Sequence, residues 1–338
     1  MEKPRFLGIT VFGYTAILSS ILLLITHIYL YTTHTSLLSR TSIIVLGGII
    51  LLSTPLFFSK RTRLTQYILR IGFTWILLSF IMGFFTFTTT TAGLRPEYAW
   101  IPTLLVAIYG YYVARYPQIR HEDYTWDKKE KKRVVQLTDL HIGDIWSERD
   151  LQDSLEKAEH LDPDIIAITG DLVDGMHHIP ESVYSSLKNV DIPILFVTGN
   201  HDGYHDRQTV IDSLEKNGVV VLEDETKIIN GICVHGVAYK TPWQQTKEQI
   251  EKENVDVLLK HEPSVTLSDT AVAILSGHIH AGQVWPLHLI ALLDFSYVKG
   301  TYTNGQGLLH VSTGTRLWGP PLRIGTRSEI FVLDLVPR

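Results

Sequence analysis

The α/β character of this chain is most visible in the stretch DIIAITGD, residues 164–171. It is a short apolar run, of the length of a buried strand, and it ends at a Gly-Asp pair. The same pattern occurs at 133–137, where the run is followed by Asp139, and at 192–197, where it is followed by Gly199-Asn200. Helix-like segments lie between these runs, so the sequence predicts a parallel sheet with covering helices.

Three segments between and after these strands are predicted to be helices. They are Ser147–His160, with Ser147 as the N-cap, Pro180–Asn189 and Asp206–Asn217. Further strands are predicted at 219–223, 226–229, 232–237, 255–260, 272–276, 307–312 and 329–335. The pattern indicates an α/β domain of about 205 residues, with one large sheet or two packed sheets. Ligands of such folds bind beyond the carboxyl ends of the strands.

Five short segments rich in His, Asp and Asn follow predicted strands. They are Asp139-Leu140-His141, Gly170-Asp171, Gly199-Asn200-His201-Asp202, His261 and Gly277-His278-Ile279-His280. Carboxylate, imidazole and amide groups are donors that hard and borderline divalent metals accept. One carboxylate can also bridge two ions about 3.5–4 Å apart. Each segment alone is weak evidence, but their joint occurrence predicts a two-metal site. For His261, a surface histidine without a ligand role is the alternative.

These motifs resemble the calcineurin-like metallophosphoesterase superfamily across nearly all of 134–338. The order Asp-x-His, Gly-Asp, Gly-Asn-His-Asp, His and Gly-His-x-His is present without a lost ligand. The segment 277–283, with Pro321–Gly325 later, resembles the membrane-associated bacterial branch, which often has Gly where this chain has Ala281. The resemblance implies an α/β fold, a two-sheet sandwich flanked by helices.

The resemblance also implies a role for each residue. It places a first metal ion on Asp139, His141, Asp171 and His280, and a second on Asp171, Asn200, His261 and His278. His201 and Asp202 are implied to be catalytic: His201 stabilises or protonates the leaving oxygen, and Asp202 orients the His201 ring. Asp174 is either a support of the loop after Asp171 or an ordinary turn residue. The remaining histidines are predicted to be loop or packing residues: His177, His178, His205, His235, His288 and His310.

The predicted chemistry is hydrolysis of a phosphate ester. Two divalent ions neutralise phosphate oxygens and lower the pKa of a water molecule, so that hydroxide forms near neutral pH. We therefore expect a dimetal phosphoesterase that hydrolyses a phosphodiester or pyrophosphate bond by a metal-activated hydroxide. The alternatives are a phosphomonoesterase or phosphoprotein phosphatase, and a non-catalytic signalling module on the same fold. The sequence leaves Mn, Fe and Zn open as the metal, and it leaves the oligomeric state open.

Residues 1–116 have a different composition and are predicted to form a membrane region with four transmembrane helices. Four apolar stretches lie at 6–31, 42–59, 65–88 and 98–116. A helix needs about 20 mainly apolar residues to cross the hydrocarbon core. A signal peptide in the first stretch and a buried four-helix core are the alternatives. A receptor or transporter is disfavoured because these stretches contain little that ionises besides His27.

Basic residues predict the orientation of this region. They are numerous before the first stretch, after the second and after the fourth, and only Arg40 and Arg95 lie in the other connections. By the positive-inside rule both termini are then cytoplasmic. We expect a multi-pass protein of the cell inner membrane with a cytoplasmic catalytic domain at 134–338. Residues 117–133 are predicted to be a basic linker, whose lysines can also contact anionic lipid head groups.

The stretch 284–295 bears on the substrate, because it is unusually apolar for a loop. It is either part of the core or an apolar lip beside the metals that holds acyl chains or enters the membrane. A lipid-linked phosphate ester is therefore one candidate substrate. The net charge of −5 and the lack of a basic stripe with interleaved aromatics predict no nucleic-acid partner. The lone Cys233 excludes an intramolecular disulfide.

Overall fold

The computed structural model describes residues 5–6, 9–57, 63–143, 145–175, 179–204, 206–267, 272–285 and 288–338. The chain divides into two compact units, Met1–Tyr109 and Gly110–Arg338. Some residues used in the sequence predictions lie outside the described residues. They are Lys3, Lys60 and Arg61, which are among the basic residues that predict the orientation; the histidines His177, His178 and His205; and Pro286 and Leu287 of the stretch 284–295.

Unit 1 is helical apart from a short antiparallel ribbon of β1 (Arg5–Phe6) and β2 (Ile9–Thr10). Its helices are α1 (Val11–Thr33), α2 (Leu37–Phe57), α3 (Arg63–Thr91) and the first part of α4 (Trp100–Arg115). Leu30, Ile43, Trp75 and Met82 form its buried apolar centre. Within the described residues, one segment, Arg70–Thr91, is long and apolar enough to cross a membrane, and Ile21–Thr33 and Leu37–Leu51 are shorter apolar helices.

A chain of polar contacts ties the helices of unit 1 together. The His34 ring contacts Thr86 Oγ1 at 3.2 Å through Nε2 and Ser39 Oγ at 2.6 Å through Nδ1. Trp100 donates from Nε1 to the same Ser39 oxygen at 2.8 Å, and Trp75 stacks on Trp100. These groups are largely buried, so each hydrogen bond offsets a desolvation cost and holds one relative position of the helices.

Unit 2 contains the predicted α/β domain. Its strands are β3 (Gln118–Trp126), β4 (Lys132–Leu137), β5 (Ile165–Thr169), β6 (Ile194–Val197), β7 (Val220–Val221), β8 (Glu225–Ile229), β9 (Ile232–Gly236), β10 (Val257–Leu259), β11 (Ala273–Ser276), β12 (Gly300–Thr303), β13 (Leu308–Val311) and β14 (Glu329–Pro337). Its complete helices are α5 (Glu148–Glu159), α6 (Glu181–Ser185), α7 (Arg207–Lys216), α8 (Trp243–Glu253) and α9 (His288–Asp294). Short 3-10 turns follow at Ser186–Asn189 and His280–Gly282.

The strands form two six-stranded mixed sheets. The first has the order β3-β14-β4-β5-β6-β7, and β4 to β7 run parallel to one another. The second has the order β12-β13-β11-β10-β9-β8, and its four central strands are parallel. The sequence left open one large sheet or two packed sheets, and the structure confirms two.

Alternation within each strand determines which layer a side chain joins. In β5, Ile165 and Ala167 pack between the two sheets with Val257 and Leu275 of the second sheet. Ile166 and Ile168 point the other way, into a second core with the helices α5, α6 and α7. The outer face of the second sheet has its own core, which includes Ile250 of α8. The result is the predicted sandwich, with helices on both outer faces.

The first sheet extends into the segment 117–133 that the sequence predicts to be a linker. Residues Gln118–Trp126 form β3, which pairs in parallel with β14 along all nine of its residues. Most of its side chains are exposed, so β3 lacks the alternation of apolar and polar residues that marks a half-buried strand. Its place in the sheet depends on backbone pairing with β14. The sequence analysis also missed β12 and the polar helix α8.

Candidate metal centre

The seven predicted ligands meet where the carboxyl ends of the parallel strands of both sheets converge. The first sheet contributes Asp139, His141, Asp171 and Asn200 from the loops after β4, β5 and β6. The second contributes His261 after β10, and His278 and His280 after β11. Parallel strands end at the same edge of a sheet, so the topology gathers donors that lie up to 141 residues apart in the chain.

The first donor group contains Asp139, His141 and His280, whose ligand atoms lie within 4.8 Å of one another. His141 Nε2 lies 3.2 Å from His280 Nε2, and His280 Nε2 lies 3.4 Å from Asp139 Oδ1. Asp139 is fully buried, and its carboxylate accepts hydrogen bonds from the backbone amide of His278 and from Thr138 Oγ1.

The second donor group contains Asp171, His261 and His278, with the same mutual spacing. His261 Nε2 lies 3.3 Å from Asp171 Oδ2. Asn200 joins this group, because its Oδ1 lies 2.9 Å from His278 Nδ1 and 3.2 Å from His261 Nε2. Tyr204 fixes the amide of Asn200: its hydroxyl oxygen accepts from Nδ2 at 2.8 Å, which leaves Oδ1 for the site.

Asp171 lies between the two groups. Its Oδ2 is 3.8 Å from His141 Nε2 of the first group and 3.3 Å from His261 Nε2 of the second. Its Oδ1 accepts a hydrogen bond from the backbone amide of His201 at 2.8 Å. This is the position that a carboxylate shared by two cations requires.

Glycines before the ligands let strands and loops approach closely. A Cβ on Gly199 would lie 2.2 Å from Asp171 Oδ1, and one on Gly277 would lie 2.4 Å from Asp139 Oδ2. No side chain fits at those distances, so these positions need glycine. The ligands themselves are also constrained: Asp139, His141, Asp171, His278 and His280 all have left-handed backbone angles, with φ between 46° and 76°.

Electrostatics favour a cation at this centre. Burial lowers the pKa of His141 to about 3 and that of His278 to about 4, so both rings are neutral and offer lone pairs at neutral pH. Burial opposes charge on Asp171 as well, but the surrounding histidines, His261 foremost, keep its pKa well below the usual range. Against its own burial, His261 has its pKa raised to about 10 by Asp171. A site that holds a proton this strongly also attracts a metal ion.

His261 is 1 % exposed, so the alternative of a surface histidine is wrong. Its ring is held by Nδ1, which donates to the carbonyl of Thr169 at 2.8 Å and leaves Nε2 for the donor group. His310 is a packing residue, as predicted: it is fully buried, contacts Glu329 at 3.0 Å and stacks on Phe331.

The structure differs from the prediction at Asp202. Its carboxylate accepts from the backbone amides of Asp171, Val173 and Gly199 at 2.8, 3.2 and 2.8 Å. These three bonds tie together the loops after β5 and β6. The ring of His201 is oriented by another group, because its Nδ1 donates to the carbonyl of Asp174 at 2.8 Å. The prediction failed because adjacency in the chain does not tell which way two neighbouring side chains point.

The family model of calcineurin-like phosphoesterases matches residues 132–282, which contain all seven predicted ligands. These residues form a calcineurin-like phosphoesterase domain. The resemblance to the superfamily is therefore confirmed for these residues. Residues beyond 282 complete the second sheet of the domain through β12 and β13, and the first through β14.

Relatives of the phosphoesterase domain occur in bacteria and animals. An uncharacterized metallophosphoesterase of Helicobacter pylori is 30% identical over 239 residues, which cover 66% of this chain and 65% of that protein. A Danio rerio protein described as a transmembrane protein with a metallophosphoesterase domain is 28% identical over 264 residues, which cover 69% of this chain and 60% of that protein. An uncharacterized Bacillus subtilis metallophosphoesterase is 27% identical over 226 residues, which cover 60% of this chain and 78% of that protein. This chain thus spans about two thirds or less of the length of the first relatives it matches.

The donor set of the phosphoesterase domain fits divalent metal ions. Ligand atoms about 2.0–2.2 Å from a shared metal lie about 3–3.5 Å apart. The pairs His141–His280, His280–Asp139 and His261–Asp171 are spaced in this range. His, Asp and Asn supply nitrogen and oxygen donors, which Mn, Fe and Zn all accept.

Aromatic side chains surround the donors; the sequence analysis included Phe295 in the apolar stretch 284–295 but did not identify Tyr204 or Trp318. The His201 ring lies 4.5 Å from that of Tyr204 and 5.7 Å from that of Trp318, measured between centroids. Phe295 lies 5.7 Å from the His278 ring on the other side. Tyr204 and Trp318 are each about half exposed. No motif marked these residues, because they lie in loops that only the fold brings to the centre.

Proposed function

We propose that this protein is a dimetal phosphoesterase that hydrolyses a phosphodiester or pyrophosphate bond. The observation that carries the proposal is the convergence of seven buried or half-buried donors into two groups that share Asp171. The non-catalytic alternative on the same fold is less well supported, because a binding module would not need every donor of both groups within contact distance.

We assign each ligand from these contacts. The first metal ion would be held by Asp139, His141, Asp171 and His280, and the second by Asp171, Asn200, His261 and His278. When bound, two such ions supply Lewis acidity and lower the pKa of a water molecule. Thiolate ligands play no part in this assignment, since Cys233 lies in β9 and packs in the outer core of the second sheet.

His201 would act on the leaving group. Its Nδ1 is engaged by the carbonyl of Asp174, and the residue forms a further close donor group with His141 and Asp171. A protonated His201 keeps its Nδ1–H bond to that carbonyl and has an Nε2–H to donate to the leaving oxygen. Asp202 would support this arrangement indirectly, by fixing the loops that carry Asp171 and His201.

The test is metal analysis of the purified full chain, combined with three chromogenic or coupled substrates: a phosphodiester, a pyrophosphate diester and a phosphomonoester. We expect two divalent ions per chain, loss of turnover after chelation, and recovery when one of Mn, Fe or Zn is restored. Faster turnover of the monoester would favour the phosphomonoesterase alternative. A metal-replete protein without turnover of any of the three would favour the non-catalytic one.

We further propose that the substrate carries a lipid group. Support comes from α9, which is short and apolar and exposes Leu289, Leu292 and Leu293, the last at 82 %. Phe295 follows α9 and reaches the His278 ring, so this apolar surface begins beside the second donor group. An exposed apolar surface next to a polar centre suits a substrate with a phosphate ester and an acyl chain.

This proposal is tested with Leu292→Asp and a matched control, Ile228→Asp, which changes an equally prominent apolar residue of β8. We expect Leu292→Asp to slow hydrolysis of a diacylglycerol-linked phosphodiester in detergent micelles while a soluble phosphodiester is hydrolysed as before. Ile228→Asp should affect neither substrate. Equal rates on both substrates in all three proteins would remove the lipid group from the proposal.

We also propose that the four helices of unit 1 anchor the protein in the inner membrane, with the phosphoesterase domain in the cytoplasm. The apolar segment Arg70–Thr91 and the description of the Danio rerio relative as a transmembrane protein support this anchor. A Lys129→Cys variant in a Cys233→Ser background should react with a membrane-impermeant maleimide in inverted inner-membrane vesicles and stay unlabelled in intact spheroplasts. Labelling of intact spheroplasts would reverse the orientation.

A further inference from the structure

Two arginines in the loop between β13 and β14, Arg316 and Arg323, are the largest fully buried side chains among the described residues. Arg316 pairs with the carboxylate of Asp153 at 2.6 Å and lies over the Trp146 ring. Arg323 forms no comparable ion pair within the described residues. A buried guanidinium is costly unless its donors are engaged, so the partners of Arg323 indicate what it does.

The guanidinium of Arg323 donates hydrogen bonds to oxygen atoms of the surrounding backbone and hydroxyl groups. Nη1 donates to the carbonyl of His280 at 3.1 Å, and Nε donates to Ser328 Oγ at 3.0 Å. Nη2 donates to the carbonyls of Thr313 and Arg316, the latter at 2.9 Å. One planar cation thus joins the backbone of a predicted metal ligand to three further points of the loop.

His280 needs such support more than the other ligands on the second sheet. The ring of His261 is fixed by an Nδ1 bond to the carbonyl of Thr169, and the Nδ1 of His278 contacts Asn200 Oδ1 at 2.9 Å. The buried Nδ1 of His280 makes no hydrogen bond within the described part of the chain. Its backbone is also strained, with φ of 52° at His280 and 53° at the following Ala281. The usual outer hydrogen bond that orients a ligating imidazole is therefore missing on this ring.

The loop that carries Arg323 is itself held firmly. Arg323 donates from its backbone amide to the carbonyl of Gly110 at 3.1 Å, and Ser328 donates from its amide to Val113 and from Oγ to Ala114. Val113 and Ala114 belong to the last turn of α4, whose final carbonyls have no partner within the helix, and Gly110 lies one turn earlier. On the other side, Ile324 pairs with Val284 and with Trp285, just after His280.

We infer that Arg323 is a positioning residue for the first metal site: by holding the carbonyl of His280 it fixes the strained backbone, and through it the direction of the His280 imidazole. The inference rests on the proposed function, because it takes His280 as a ligand. It goes beyond the proposed function, because Arg323 contacts none of the predicted metal-binding atoms.

The experiment compares Arg323→Lys and Arg323→Met with Arg316→Lys in the full-length protein, after far-UV circular dichroism shows that each variant is folded. Metal is measured by equilibrium dialysis and mass spectrometry, independently of turnover. We expect Arg323→Lys to weaken one of two metal ions by roughly 10- to 100-fold, the effect of losing an outer contact of a ligand. Arg323→Met should retain a single metal ion. Arg316→Lys should bind two metal ions, because Arg316 does not contact the carbonyl of His280.

A double-mutant cycle separates positioning from a general loss of stability. In a His280→Ala background, Arg323→Lys should cause no further loss of metal affinity, because the ligand through which it acts is gone. Equal weakening of both ions, wild-type binding of both, or failure of Arg323→Lys to fold would each overturn the inference. A wild-type protein that binds no metal would instead contradict the proposed function.

Discussion

The two donor groups differ in how firmly their imidazoles are held. In the second group, His261 is fixed by the carbonyl of Thr169, and Asn200 is fixed by Tyr204. In the first group, the buried Nδ1 atoms of His141 and His280 make no hydrogen bond within the described residues. The nearest group to His141 Nδ1 among its ion-pair contacts is Asp174 Oδ1, at 3.6 Å. Orientation by outer contacts raises metal affinity, so the second group should bind its ion more tightly.

Substitution of Asp171 should have the largest effect, because this carboxylate contacts both donor groups. Asp171→Ala should remove both ions and lower turnover by about 10³-fold or more, beyond the 10²–10³-fold that removal of one electrostatic contact typically costs. The domain should still fold, because its cores lie in the strands and helices around the site. Asp191→Ala, which changes an exposed carboxylate, is the matched control. Wild-type turnover in Asp171→Ala would refute the dimetal assignment.

Removing one ligand from each group tests the difference in affinity directly. His280→Ala should lose the ion of the first group, and His261→Ala that of the second, each by at least roughly 100-fold in dissociation constant. A titration of the metal-free wild type at about pH 9, where the His261 proton competes weakly with the metal, should show two phases, and the tighter phase should survive in His280→Ala. If the tighter phase instead survives in His261→Ala, the order of affinities inferred from the outer contacts is reversed.

The pH dependence of metal binding should separate the groups as well. In the metal-free protein, Asp171 raises the pKa of His261 to about 10, so the second ion must displace a proton at pH 7. Affinity in His280→Ala should therefore rise with pH between 7 and 9, by up to about tenfold per unit. The metal affinity of the first group should vary less with pH, because burial lowers the pKa of His141 to about 3 and its ring has no proton to release above pH 7. A flat profile in His280→Ala would contradict this.

The same proton affects the stability of the metal-free protein. The folded-state pKa of His261 lies above its ordinary value of 6.5, so the folded chain keeps a proton that the unfolded chain releases. This contribution is fully present below pH 6.5 and is lost as the pH rises towards 10. A His261→Gln variant without metal should lack this decline in thermal stability.

The smallest expected effect concerns Tyr204, which fixes Asn200 from the solvent side. Tyr204→Phe removes one hydrogen bond at a half-exposed position, worth about 0.5–1.5 kcal/mol, so the second ion should weaken by only about 2- to 10-fold. The first ion should bind as before. Tyr116→Phe, another half-exposed tyrosine, is the control. Weakening of both ions to the same extent would show that Tyr204 affects the centre as a whole.

Much of the phosphoesterase domain could be predicted from local pattern. The runs that became β5 and β6 are apolar on both faces, and β4 has an apolar centre at Val134 and Val135. Polar residues stand at the end of each run, which signals a buried parallel strand and its functional end. The N-cap at Ser147 was likewise predictable from its residue type and from Asp150 three residues on, and the structure shows the reciprocal bonds of a capping box.

Other features left no local trace. β3 is exposed and charged, and it is a strand only because β14 offers a full length of backbone to pair with. Asp202 looked like the partner of its neighbour His201, yet its carboxylate turns to three backbone amides. Arg323 belonged to a quoted motif, but its contact with His280 joins residues 43 positions apart. Nothing in one sequence predicts such a contact.

The α/β class, the positions of the central strands and the kinds of donor available follow from the amino-acid sequence, because they depend on periodicity and on the chemistry of single residues. Folding is needed to bring the carboxyl ends of two separate sheets together, to place Asp171 between two groups of donors, and to bring Arg323 to the backbone of His280. These are relations between residues far apart in the chain. They arise because the packing of apolar layers buries polar groups, and each buried polar group is then stabilised by a hydrogen bond to a group from another part of the chain.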